Sequence, residues 1–104
     1  MSDDRIALYQ GFVDKDPNNA MAWYVLAQEF GKRGDTAAAM AAYGRVIAID
    51  PHYVAAYYHG AVALKVAGEV GEARDLLARG LAAAREKGDG KGAAEMEELL
   101  QRLE

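Results

Sequence analysis

The sequence predicts an all-α fold in which helix pairs repeat along the chain, and three observations carry that reading. The chain is rich in Ala and Leu, with only Pro17 and Pro51 as prolines. Apolar residues recur at i, i+3, i+4 and i+7 in one segment after another. The sequence also matches itself at a shift of 34, which lays Asp16-Pro17 onto Asp50-Pro51, Trp23 onto Tyr57, Gly34 onto Gly68 and Ala39 onto Ala73. A fixed period of this length means stacked supersecondary units rather than one closed globule. At 104 residues the chain is one domain or one short array.

The first helix is expected over about residues 3–15, with Ile6, Tyr9 and Val13 at helical spacing and Leu8 and Phe12 beside them. Asp16-Pro17 ends it, because a residue before proline is pushed out of the α region. Asn18 or Asn19 can cap the second helix, about residues 19–33, whose buried stripe reads Trp23, Leu26, Ala27 and Phe30. Gly34 supplies a left-handed turn, and Asp35 or Thr36 opens the third helix, with Ala39, Tyr43, Val46 and Ile47 inward. So short a turn makes the two helices pack against each other.

After Asp50-Pro51 the pattern repeats. The fourth helix, about residues 53–67, places Tyr57, Gly60, Ala61 and Leu64 at the offsets of the second. Gly68 and Glu69 turn the chain, and the fifth helix buries Ala73, Leu76, Leu77, Gly80 and Leu81. Arg85 stands where the next proline would fall, so this helix is expected to run to Lys87 before Gly88-Asp89-Gly90 breaks it. A last helix, about residues 92–103, presents Met96, Leu99, Leu100 and Leu103 on one face.

The unit at residues 20–53 resembles a tetratricopeptide repeat. The family pattern of Trp, Leu-Gly, Tyr, Ala, Phe and Pro is met by Trp23, Leu26-Ala27, Phe30, Ala39, Tyr43 and Pro51. Residues 54–87 resemble it less closely, and residues 3–17 match only the second helix of a repeat. Residues 90–104 suit the polar-backed helix that caps such arrays. The resemblance implies a short right-handed α-solenoid of antiparallel helix pairs: a half repeat, two repeats and a capping helix in a single domain. Gly60 and Gly80 depart from the pattern, each at a cost of about 1 kcal/mol relative to Ala within a helix. Close backbone approach is the expected reason, with a hinge or small pocket as the alternative, and the second unit is expected to be slightly looser.

The resemblance also implies a peptide-binding concave face lined by the first helix of each repeat. Carried over by position, the first unit contributes Met21, Tyr24, Val25, Gln28 and Lys32. The second contributes Ala55, Tyr58, His59, Val62, Lys65 and Val66. All fall outside the core stripe, and tyrosines and methionine there offer contact area at low entropy cost. The bland alternative is that they pad helix edges. The family's lysine–asparagine–arginine clamp for C-terminal carboxylates is absent, with Tyr24 in place of its first lysine and Gln28 and His59 in place of its asparagines. The expected partner is a protein or peptide with apolar or aromatic groups.

Other classes fare worse. The net charge of −4 argues against nucleic acid, and no apolar run approaches the ~18 residues that span a bilayer. Asp3 and Asp4 stand where a signal peptide carries positive charge, so a cytoplasmic location is expected. With no cysteine, thiolate chemistry is excluded. Apart from the tyrosines, Ser2 and Thr36 are the only hydroxyl nucleophiles, and His52 and His59 stand roughly 10 Å apart along a helix. Neither an enzyme, a metal site nor a cofactor is expected. Leu8, Phe12 and Val13 cannot all be covered by the second helix, so a homodimer through this end, or through the last helix, is a further expectation.

Overall fold

The computed structural model describes residues 2–103. Six helices follow in order: α1 (Ser2–Lys15), α2 (Ala20–Lys32), α3 (Thr36–Ile49), α4 (Val54–Val66), α5 (Val70–Lys87) and α6 (Gly90–Arg102). No strand occurs among the described residues, and no helix there is long and apolar enough to cross a membrane. The chain divides into two compact units at the Asp50–Pro51 bond.

In the first unit α2 and α3 form an antiparallel hairpin, with α1 laid against α2. Asn19 caps α2 by accepting from the Ala22 N–H at 3.1 Å, and Asp35 caps α3 by accepting from Ala38 at 3.1 Å. Gly34 turns the chain at φ +76°, a conformation a side chain would strain. The core holds Val13, Ala22, Leu26, Ala27, Ala39, Ala42, Tyr43 and Val46. Trp23, Phe30 and Ile47, expected inside, are only half-buried, while Ala22 and Glu29 are buried in their place. The buried arc of α2 is thus shifted toward Glu29, because α1 covers that flank as α3 covers the other.

Glu29 is the one buried charged side chain among the described residues, 3% exposed. Arg5 of α1 donates from Nε to its Oε2 at 3.1 Å, and Lys32 from Nζ at 3.2 Å. Burial pushes its pKa up, but the hydrogen bonds and charges of Lys32 and Arg5 together outweigh burial and hold it below the usual carboxylate range.

The second unit repeats the hairpin with α4 and α5 and adds α6, which packs on α5 and touches α4. Gly68 turns at φ +84°. The expected core positions Tyr57, Gly60, Ala61, Leu64, Ala73, Leu76, Leu77, Gly80 and Leu81 are all buried. Helix α5 ends at Lys87 and Gly88 closes it in the left-handed region. Helix α6 starts earlier than the glycines suggest, because Asp89 caps it by accepting from the Gly92 N–H at 2.8 Å. Met96, Leu99 and Leu103 are buried, and Arg74 donates to the Leu103 carbonyl, tying the end of α6 back to α5. At Gly80 the expected close approach is present: a Cβ would stand 2.6 Å from both Tyr57 Cβ and Met96 Sδ.

Candidate functional site

The residues expected to bind a partner lie on the first helix of each hairpin, and each unit presents its own strip. On α2, Met21 is 59% exposed and Lys32 is exposed, while Tyr24, Val25 and Gln28 are half-buried. The Tyr24 ring meets Tyr43 edge-on at 6.1 Å, and its hydroxyl accepts from Gln28 Nε2 at 3.3 Å. Burial first, and then the neighbouring Tyr24, push the Tyr43 phenol well above its ordinary pKa, so it stays neutral. Tyr24 is therefore half-buried and supports the hairpin through its contact with Tyr43. Lys32 is committed to Glu29, which limits what its ammonium can offer a ligand.

On α4, Ala55, Tyr58, His59 and Val62 are half-buried, whereas Lys65 and Val66 are exposed. Tyr58 and His59 stack edge to face, with ring centroids 5.3 Å apart at 88°. Both line a cleft of about 200 Å³, together with Val54 and Ala55 of α4 and Asp89, Lys91, Gly92 and Glu95 at the start of α6. Burial pushes the His59 pKa down and the Glu95 carboxylate pulls it part of the way back, so the imidazole is neutral near pH 7.

The α6 wall of this cleft is absent from the positions carried over from the repeat pattern. Its backbone comes close because residue 92 is glycine: a Cβ there would lie 2.8 Å from Val54 Cγ1 and 2.5 Å from Asp89 Oδ2. A side chain at that point would have to displace the Val54 methyl and the Asp89 carboxylate that caps α6. Val62 and Lys65, though expected at the site, do not line the cleft. His52 has different surroundings from His59, with its Nε2 2.9 Å from Glu86 Oε1. Among the described residues no group of three His, Asp or Glu side chains could hold a metal ion.

A family model described as tetratricopeptide repeat matches residues 32–102. The chain is 33% identical over 70 residues to an uncharacterized protein of Methanocaldococcus jannaschii, a match that covers 67% of this chain and 81% of that one. A tetratricopeptide repeat domain protein from Salinibacter ruber superposes with a TM-score of 0.77 at 31% identity, covering 86% of this chain and 90% of that one. The TPR2B domain of yeast Sti1, solved as a complex with pHsp70, superposes with a TM-score of 0.86 at 23% identity, covering 94% and 78%.

Proposed function

The chain belongs to the tetratricopeptide repeat family, and from that premise we propose that it is a non-enzymatic protein-interaction module. In this reading a peptide segment or partner protein lies along the first helix of each repeat, the face that is concave in the family. Tetratricopeptide repeats serve generally as protein-interaction folds, and the Sti1 domain is solved as a complex with pHsp70. The observation that carries the reading is a strip in each unit, Met21, Val25 and Gln28 on α2 and Tyr58, His59 and Val62 on α4, none sealed into its hairpin core. A half-exposed tyrosine beside a cleft gives a partner a large contact at small entropic cost.

Capture of a partner from native lysate tests this. Met21→Glu and Tyr58→Ala should each reduce capture strongly, with helicity unchanged in circular dichroism. Tyr24→Ala is a poorer probe because its ring also packs on Tyr43. Undiminished capture by both variants would remove the strip from consideration.

A second reading, a small homo-oligomeric structural or regulatory subunit without a peptide ligand, is favoured by α1. Leu8 is 53% and Phe12 43% exposed, yet the positions 34 further on, Ala42 and Val46, are buried, as are Leu76 and Gly80 after another 34. In each hairpin the preceding helix covers these positions, and on α1 a second copy would bury Leu8 and Phe12. Sedimentation of a clean 11.2 kDa monomer at high concentration would eliminate this reading.

A further inference from the structure

The cleft beside Tyr58 is too small for a cofactor and is built for one side chain. At about 200 Å³ it falls below the ~300–1,000 Å³ of pockets that enclose drug-sized ligands. Its lining is apolar at Val54, Ala55 and Gly92, aromatic at Tyr58 and His59, and charged at Asp89, Lys91 and Glu95. An occupant must therefore have an apolar stem and a polar end.

Charge selects which end. Two carboxylates face one ammonium, and His59 is neutral near pH 7, so the lining is net negative. Asp89 already accepts from the Gly92 N–H. The Glu95 carboxylate makes no hydrogen bond or ion pair among the described residues, and its charge is felt at His59. Lys91 precedes Glu95 by four residues, the less favourable order for a helical ion pair. An incoming cation meets an unpaired carboxylate beside the Tyr58 ring, whereas an anion meets repulsion. Long basic side chains lay their methylenes on apolar surface while the charged head reaches a polar rim.

On the reading of the chain as a partner-binding module, we infer that this cleft receives a lysine or arginine side chain from the bound segment, with its cationic end at Glu95 and against Tyr58. The partner segment is thus basic at one anchoring position, rather than uniformly apolar.

Three small probes test the assignment by titration into ¹⁵N-labelled protein: N-acetyl-arginine, N-acetyl-leucine and N-acetyl-glutamate, each as its methylamide. The arginine probe should shift the amides of Ala55, Tyr58, Gly92 and Glu95 saturably, and the glutamate probe should leave them in place. Glu95→Gln should weaken the arginine probe about three- to fivefold, the effect of one exposed ion pair. Lys91→Ala, which removes the competing cation, should tighten it about twofold. Both substitutions lie on the solvent side of α6 and should keep the helix, which the amide spectrum itself reports.

Equal shifts from the leucine and arginine probes would overturn the basic-side-chain assignment while keeping the cleft as a contact site. So would an arginine response that Glu95→Gln leaves unchanged. Silence from all three probes would overturn the assignment as well, and the Met21 and Tyr58 capture experiment would then decide the interaction reading on its own.

Discussion

In the first hairpin the Trp23 indole donates from Nε1 to the Pro17 carbonyl at 2.9 Å, and Arg45 lies over its ring at 5.5 Å. In the second, Tyr57 donates from its hydroxyl to the Pro51 carbonyl at 2.7 Å, and Arg79 lies over its ring at 5.8 Å. Proline, aromatic and arginine each recur 34 residues on, so both hairpins lock the entry of their first helix with the same device. They differ one layer deeper. Val46 fills the α3 core, and its counterpart in α5 is Gly80. The space a side chain would take at Gly80 is occupied by Met96 Sδ from α6, and Met96 is fully buried. The same exchange accompanies a change in the aromatic ring, from half-buried Trp23 to Tyr57 at 4% exposure. Gly80, one of the two glycines that depart from the repeat pattern, is thus the socket for α6. A repeat can give up a core side chain when a neighbouring element supplies the missing volume.

The largest effect should come from emptying that socket. Met96→Ala removes a fully buried side chain and should cost about 2–5 kcal/mol in urea unfolding, with α6 amides losing exchange protection first. Gly80→Val makes the second hairpin imitate the first, and should cost about 1–3 kcal/mol because Tyr57 Cβ cannot move aside. The double variant should cost less than the two costs added together, since each change relieves the other. Strict additivity would show that Met96 and Gly80 are not coupled.

Smaller effects probe the shared device. Tyr57→Phe should cost about 1 kcal/mol, the net worth of one hydrogen bond. A neutral result would mean that water replaces the phenol at the Pro51 carbonyl. The smallest and most conditional effect concerns Glu29, a feature of the first unit. Its pKa is lower in the folded chain than the usual 4.5, so its stabilising contribution is complete above pH 4.5 and fades as pH falls through the folded value. Urea midpoints of the native chain and Glu29→Gln should differ more at pH 7 than at pH 3. A difference independent of pH would mean the ion pairs contribute nothing.

Most of the fold was legible in the sequence because local chemistry dictates it. Asn19 and Asp35 cap helices, Gly34 and Gly68 turn the chain with positive φ, and α5 runs to Lys87 where no proline stops it. From the sequence the start of α6 is legible only at Gly92, because Asp89 resembles part of a glycine-rich break until it is seen to accept from the Gly92 N–H. What a period cannot reveal is pairing across elements. Glu29 resembles any solvated helical acid until Arg5, 24 residues earlier, is placed over it. The strips on α2 and on α4 followed from repeat positions, but the cleft did not. Half of its wall comes from α6, which lies outside the 34-residue period and has no position to carry over.

Partners are proposed to meet the first helix of each repeat. Site-specific photo-crosslinking in native lysate tests it most directly, with the photoreactive residue placed in turn at Gln28, Val62 and Leu8. Crosslinks to a different protein are expected from Gln28 and Val62, and Tyr58→Ala should suppress the latter. Crosslinks from Leu8 alone, joining two copies of this chain, would contradict it and establish α1 as the working surface.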